Sequence, residues 1–422
     1  MTPVEASLYE KTLACVHCGL CLPACPAYRV DPRESLAPRG QVYNVRAVLE
    51  GRLPLTDSLA SEIYDCLACR GCESVCPSGV PVGAIMEEAR GLITDRRLEG
   101  RGVRFLKRFL LAGILAHPRR LSALMALLSV YERIGLRSLV RRVLERFSPA
   151  LADRERLMPP LAPKRGTLAS LVPATGEKRG RVALFTGCIA TYLFPDVNEA
   201  TVRVLQRNGF EVVIPPGQVC CGALHFHNGL PDAGRRLALQ HVQVFEEEPV
   251  DWIVVNAAGC GAALTEYGEL LEGDARAREV ARRVVDISAL LVREGFEAPK
   301  VAIAPIRVAY DAPCHLFHGQ KVRTEPRLLL QSIPGVELVE HAESERCCGS
   351  AGIYNVTHYE MSMQVLESKM RELMKVRPEL IATGNPGCHI QLSEGARRNG
   401  LSAEVIHPIV LLDRAYRAGS GG

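Results

Sequence analysis

Aromatic side chains are scarce, with Phe, Trp and Tyr together at 5% of 422 residues and a single tryptophan. That offers little for stacking nucleic-acid bases. No G-x-G-x-x-G follows a strand-like run; Gly259 to Leu264 comes nearest, with leucine in the last glycine position, so no dinucleotide fold is expected. The Gly-Lys dipeptide of a Walker-type phosphate loop is missing as well. The opening MTPVEASLYE lacks a basic segment followed by an apolar one, so no secretory signal is expected. No apolar run approaches the roughly twenty residues that a spanning helix needs.

Cysteine, by contrast, is abundant: sixteen residues, which without an export signal suit a reducing cytoplasm and use as metal ligands. Eight of them fall in two runs, CVHCGLCLPACP from Cys15 and CLACRGCESVCP from Cys66. Each reads C-x2-C-x2-C-x3-C-P, the run by which bacterial-type ferredoxins hold a 4Fe–4S cube. In that arrangement the fourth cysteine ligates the other cluster. The expected ligand sets are therefore Cys15, Cys18, Cys21 and Cys76 for one cluster, and Cys66, Cys69, Cys72 and Cys25 for the second. A disulfide framework suits short secreted domains, and zinc usually joins two separate C-x2-C halves; neither suits this spacing.

Hydrophobic content of 47% is that of a globular protein, and the length allows two or three domains, each with its own core. The net charge of +4 counts every thiol as neutral. Eight ligating thiolates and two cluster cores would bring it near zero, which argues against nucleic acid as the main partner.

Residues before Cys15 read as a short helix. Between the runs, APRGQVYNVRAVLEG and LTDSLASEIYDC carry helical apolar spacing, with Val42, Val45, Val48 and Leu49 in the first and Leu59, Ile63 and Leu67 around the second. A further helix, VPVGAIMEEARGLI, follows Pro77, so residues 1–95 are expected to form an all-helical two-cluster module. Residues 96–180 then form a basic helical connector and a linker. Between Arg101 and Arg146 stand eleven Lys or Arg against Glu132 and Glu145 alone. The blocks LLAGILA and LSALMALLSV, broken at His117-Pro118, are open to two readings. One is an amphipathic helix on an anionic membrane surface; the other is a hairpin packed on a partner subunit or on the next domain. From Met158 to Gly180, Pro, Lys, Gly and Ser accumulate without periodicity, which marks a linker.

Beyond it the chain repeats. Cys188, Cys220-Cys221 and Cys260 recur as Cys314, Cys347-Cys348 and Cys388, at offsets of 126, 127 and 128 residues. Such a period is a duplicated domain, here over 181–298 and 299–422; solenoid repeats are far shorter. Each cysteine follows a short β-rich run, with helical patterns between, which predicts α/β domains with parallel sheets. Ligands collect beyond the carboxyl ends of such strands, where four thiols per repeat would converge. Gly187, Gly222, Gly259, Gly349 and Gly387 stand beside them. A further iron–sulfur site in each repeat is expected; buried structural cysteines or an exchanging dithiol are the alternatives. His17, His315 and His389 each neighbour a cysteine and are expected to hydrogen-bond around the ligands. His225 and His227 either line a pocket or lie solvated in a turn.

These residues resemble the iron–sulfur subunit of bacterial glycolate oxidase, also called glycolate dehydrogenase. The resemblance covers nearly the whole chain: both cysteine runs, PRGQVY after the first, CPSGV after the second, then GCGAALTEYG, DAPCH and CCGSAGIYNVTH. The back half is also similar to the cysteine-rich CCG domains of heterodisulfide reductases, lactate-utilisation proteins and the anaerobic glycerol-3-phosphate dehydrogenase small subunit. The resemblance implies an α + α/β fold, a helical ferredoxin module followed by two tandem CCG domains. It also implies an electron-transfer subunit of an oxidoreductase complex, with FAD and substrate on separate flavoprotein subunits and a membrane quinone as a possible acceptor on the inner face of the cell membrane. Alone, such a chain is not expected to oxidise glycolate, because iron–sulfur clusters pass single electrons. Heterodisulfide reductase domains end in C-x-x-C, whereas Ala263 and Gln391 stand at the last position here. Four cysteines per repeat remain, enough for a cube. The alternatives are a lactate or glycerol-3-phosphate electron-transfer subunit, a heterodisulfide reductase-like enzyme, or a zinc scaffold.

Overall fold

The fold is that of a computed structural model, which describes residues 2–161 and 168–419. Helices Pro3–Leu13, Pro38–Leu49, Asp57–Tyr64 and Val82–Asp95 build the front of the chain. Thr2 caps the first in a reciprocal box, its hydroxyl accepting from Glu5 N while Glu5 accepts from Thr2 N. Thr56 caps the third by accepting from Leu59 N. Their apolar positions meet as the spacing predicts: Leu8, Val42, Val45, Ile63, Ile85, Met86 and Ile93 form one buried core. The cysteine runs lie against it, with Cys72 inside and Cys15, Cys21, Cys66 and Cys76 at its border.

The back half carries two sheets. The first holds β1 (Leu171–Val172), β2 (Gly180–Phe185), β3 (Phe210–Val213), β4 (Trp252–Val255) and β5 (Val284–Asp286) in the order β1-β3-β2-β4-β5. The second holds β6 (Ile306–Tyr310), β7 (Val336–Val339), β8 (Leu380–Ala382) and β9 (Glu404–Ile406) in the order β7-β6-β8-β9. All pairs are parallel except β1 with β3. The duplication holds in register: Val182 sits between Val212 and Trp252, and Val308 between Leu338 and Leu380. Each cysteine or cysteine pair of a repeat follows the carboxyl end of a strand, namely β2, β3 and β4, then β6, β7 and β8.

Two features differ from expectation. The segment read as a plain linker contributes β1, an edge strand that pairs Leu171 with Val213 and Val172 with Val212. Leu168 and Val172 pack on the core beneath. Residues 162–167 of that segment lie outside the described residues. Nor does each repeat keep a core wholly to itself. Helix Pro195–Arg207 of the first packs on Pro408–Ala418 of the second, and Ile287–Glu294 on Glu325–Gln331. One apolar cluster therefore runs from Val182 and Leu205 through Leu290 to Val308, Leu330 and Leu412. Arg203 locks the first pair of helices with a two-pronged bond to the buried Asp413, at 3.0 and 2.8 Å.

The connector is helical over Arg101–Lys107, Arg108–Leu115, Pro118–Arg133, Leu136–Phe147 and Pro149–Arg156. His117 stands at the N-cap of the third of these, with Pro118 in the first-turn position that tolerates it. Leu111, Leu115 and Leu121 are buried against Val219, Leu230 and Leu237 of the first repeat. One face of the connector is thus packed on the next domain.

The glycine after each cysteine pair has a left-handed backbone, φ +88° at Gly222 and +92° at Gly349. A Cβ at Gly349 would lie 2.5 Å from Ser362 O. Gly349→Ala is expected to lower unfolding stability by about 2–4 kcal/mol, the sum of backbone strain and overpacking. Gly51→Ala, also at positive φ but with nothing near its Cβ, is expected to cost about 1 kcal/mol. Thermal unfolding of both variants checks the contrast.

Candidate functional site

The two cysteine runs adopt one backbone. His17 and Ala68, each two residues after the first cysteine, have φ of +57° and +49°; Gly19 and Arg70, two further on, have +87° and +63°. Three of these four are not glycine, and a left-handed non-glycine residue costs roughly 1–3 kcal/mol. Strain repeated at matching positions of both runs marks a shared task. The alternating turns wrap each run about a cavity.

The cavities sort the cysteines across the runs. One is lined by Cys15, Cys18, Cys21 and Cys76, with Pro38, Val42 and Val82 on its walls. The other is lined by Cys25, Cys66 and Cys69. Cys72 borders both. Main-chain N–H groups aim at the sulfurs, Ala68 N at Cys66 Sγ (3.4 Å) and Val80 N at Cys76 Sγ (3.5 Å). Burial pushes the Cys25 thiol up to about 12 and raises Cys66 and Cys72. Such thiols keep their protons until a cation replaces them. All sixteen cysteines are free thiols. Among the described residues no three His, Cys, Asp or Glu are placed to hold a single metal ion. A cube takes one thiolate at each iron, so it needs what these cavities offer, thiols spread over the walls of an apolar space with N–H donors behind them.

The rear cysteines form two chains of thiol contacts. Cys220 meets Cys188 and Cys221, and Cys221 meets Cys260. In the second repeat Cys347 meets Cys314 and Cys348, and Cys348 meets Cys388. The hydrogen bonds of Cys220 and Cys260 hold the Cys221 thiol well below its usual range. Gly349 N points at Cys347 Sγ (3.5 Å) and Asn385 Nδ2 at Cys388 Sγ (3.6 Å).

What lies beneath the cysteine pair differs between the repeats. In the second, Lys369 is fully buried, paired with Asp311 and donating to Glu343 O at 2.6 Å. Burial opposes its charge, but the Asp311 carboxylate outweighs burial and raises Lys369 above the usual lysine range. In the first repeat His241 stands 128 residues earlier. Burial lowers it to about 4, so it is neutral. It accepts from Val219 N at Nε2 (3.2 Å) and meets Tyr267 OH at Nδ1 (3.2 Å). Neither residue stands out in the sequence, since a lysine and a histidine in amphipathic helices look solvated.

Two of the four cysteine groups meet at one junction. Cys69 packs with Cys347, Leu67 and Tyr354, with Cys25 and Cys314 at the border. His315 Nε2 bonds Ala68 O at 3.0 Å, and Ser74 Oγ bonds His318 Nδ1 at 2.7 Å. The repeats touch where Gly259, beside Cys260, donates to Asn385 Oδ1 at 3.2 Å. At the far side Cys220 and Cys188 lie under the connector leucines. The Cys15 cavity thus adjoins the Cys66 cavity through Cys72, the Cys66 cavity adjoins the second repeat, and the two repeats adjoin each other.

Two of the three cysteine-flanking histidines differ from expectation: His17 lies edge-on to Tyr43 and His389 packs on Phe194, whereas His315 does hydrogen-bond beside the ligands, to Ala68 O. Among the described residues the hydrogen-bond donors to the sulfurs include the backbone N–H groups of Ala68, Val80 and Gly349 and the Asn385 amide. His225 and His227 are not solvated. His225 is buried with Nε2 bonded to Leu111 O (3.1 Å), and His227 Nδ1 bonds Glu87 Oε1 (2.6 Å).

Paired cysteine-lined cavities in a helical module, followed by duplicated four-thiol groups at strand ends, define an iron–sulfur protein. A family model for the 4Fe-4S dicluster domain matches residues 11–80, and one for the cysteine-rich domain matches residues 182–265 and 308–393. A third, described as the glycolate oxidase iron-sulfur subunit linker region, matches residues 102–158. The chain is 39% identical to the probable glycolate oxidase iron-sulfur subunit of Bacillus subtilis (strain 168), over 94% of this chain and 91% of that one. It is 32% identical to the glycolate oxidase iron-sulfur subunit of Escherichia coli (strain K12), over 95% and 93%. It is 28% identical to a fumarate reductase (CoM/CoB) subunit of Methanothermobacter marburgensis, over 96% and 73%. The chain belongs to the family of glycolate oxidase iron–sulfur subunits.

Lys369→Met would leave Asp311 buried without its counter-charge, and is expected to cost about 3–5 kcal/mol. Lys375→Met, on the exposed side of the same helix, is expected to change stability by less than about 0.5 kcal/mol. Chemical denaturation of the two variants makes the comparison.

Proposed function

We propose that this chain is the electron-carrying subunit of a glycolate-oxidising complex. It would take electrons from an FAD on a partner flavoprotein subunit and pass them toward a membrane acceptor of the quinone class. The observation that carries the reading is the crossed lining of the two front cavities. In it, Cys15, Cys18, Cys21 and Cys76 hold one 4Fe–4S cluster, and Cys66, Cys69, Cys72 and Cys25 hold the second. Cys188, Cys220, Cys221 and Cys260, and likewise Cys314, Cys347, Cys348 and Cys388, hold further iron–sulfur sites. When bound, the clusters supply one-electron oxidation and reduction.

The chain's own residues do the rest. Buried thiols release their protons on binding metal. The N–H groups of Ala68, Val80 and Gly349 face the ligand sulfurs and stabilise added negative charge there. Leu67, Val42 and Val82 exclude water, and His315 and His318 fix the second front loop against the second repeat. The proposed units are residues 1–95, 96–180, 181–298 and 299–422. The match of the connector to a glycolate oxidase linker favours glycolate over lactate or glycerol-3-phosphate as the substrate of the complex.

Anaerobically purified chain is expected to contain more than eight irons, eight being the front module alone, and to show 4Fe–4S signals in electron paramagnetic resonance after reduction. Glycolate should reduce these clusters only when the flavoprotein subunits are added. A colourless, iron-poor chain, or glycolate oxidation by the chain alone, would sink the proposal. Cys76→Ser should remove about four irons, all from the cluster of the first run.

A further inference from the structure

The inner face of the connector is spent on the first repeat, yet its helices carry a second set of apolar side chains that nothing covers. Phe105, Phe109, Leu127, Ile134, Leu139 and Phe147 are 70, 51, 66, 66, 52 and 78% exposed. Phe105 and Phe109 stack on each other at the surface, ring centres 6.0 Å apart. Helix Leu136–Phe147 buries no residue at all, while Leu136, Leu139, Val143 and Phe147 recur on one side at helical spacing. An exposed apolar patch of this kind marks an interaction site.

The charge on the same helices says what kind. Arg101, Arg108, Arg119, Arg133, Arg142 and Arg146 are exposed, and no hydrogen bond, ion pair or ring contact is found for any of them among the described residues. Arg137 and Arg141, by contrast, are neutralised by Glu132 and Glu155. Unpaired arginines interleaved with exposed Phe and Leu match a surface that is apolar within and anionic at its rim. Each cation near an anionic lipid surface contributes about 1 kcal/mol, and arginine stems can lie along the apolar layer with their heads in the headgroups. No helix among the described residues is long and apolar enough to cross a membrane, so the fitting mode is to lie on it.

We infer that the outer face of residues 101–147 docks on an anionic lipid bilayer. Because the inner face of this layer covers Cys188 and Cys220, docking sets the first repeat's cysteine group roughly 10 Å from lipid, one helix thickness. That makes the first repeat the exit of the electron path and the Cys15 cavity, where Cys18 is exposed, its entrance. The assignment of entrance and exit rests on the electron-carrier reading; the docking face does not.

The test is flotation of the full-length, iron-loaded chain with vesicles of phosphatidylcholine, with or without phosphatidylglycerol. Flotation is expected with phosphatidylglycerol at low salt, falling several-fold at high salt or with phosphatidylcholine alone. Phe105→Ser combined with Phe109→Ser is expected to reduce the bound fraction about tenfold or more. Arg142→Glu with Arg146→Glu should reduce it several-fold on anionic vesicles, with iron content unchanged in both. No flotation at low salt would overturn the inference, and so would binding that both variants retain. Loss of flavoprotein binding in the variants with vesicle binding intact would assign the face to a protein and overturn it too. If a variant purifies without iron, the lipid and salt dependence of the unaltered chain still decides. Iron measured in the same sample separates the two claims: an iron-poor chain that floats contradicts only the electron-carrier reading, and an iron-loaded chain that does not float contradicts only the docking face.

Discussion

Cys25 lines the cavity of the run that begins at Cys66, and Cys76 lines the cavity of the run that begins at Cys15. That exchange constrains the whole front of the molecule. Segments fifty-one residues apart in the chain must lie side by side, and helices Pro38–Leu49 and Asp57–Tyr64 are the loop that brings them there. The small core of Val42, Val45, Ile63, Ile85 and Ile93 supports this return. The strained residues His17, Ala68 and Arg70 are held where a free chain would not place them. The second repeat docks onto the second cysteine run, through Ala68 O on His315, Ser74 on His318 and Tyr354 on Asp65 O. The first repeat meets helix Val82–Asp95, through Glu87 and Arg90 on His227.

The duplicated half answers a different problem. Two small parallel sheets, each with its cysteines beyond the strand ends, would leave one face open to water. The repeats instead cover each other with equivalent helices, and the single core from Val182 to Leu412 fixes the distance between their cysteine groups. Within that near-symmetry the groups beneath the thiols diverge: a buried Lys369–Asp311 pair in one repeat, a neutral His241 in the other. A buried ion pair and a neutral imidazole polarise their surroundings differently, so the duplicated sites are electrostatically distinct.

Much of this was legible in the residues themselves. The front helices declared their apolar faces through Val42, Val45 and Ile63. The strands showed as β-rich runs ahead of Cys188, Cys220, Cys260 and their counterparts, and the offsets revealed the duplication. What stayed hidden depends on contacts remote in the chain. The edge strand β1 is two residues long and has no period to detect. One of the two helix pairs that join the shared core is some two hundred residues apart in the chain, and Arg203 looks like any surface arginine until Asp413 is beside it. His225 and His227 sit in a polar tract whose burial comes from the connector and from Glu87, which local pattern cannot supply. The connector was readable as basic and apolar at once, yet only the packing of Leu111, Leu115 and Leu121 separates the face that is used internally from the one that is not.

The central claim is the crossed sharing of cysteines, and anomalous scattering from iron in crystals of the anaerobic chain tests it most directly. The account predicts an iron site bonded to Cys15, Cys18, Cys21 and Cys76 and another bonded to Cys66, Cys69, Cys72 and Cys25. Iron held by Cys15, Cys18, Cys21 and Cys25 within a single run, or no iron in these cavities, would contradict it.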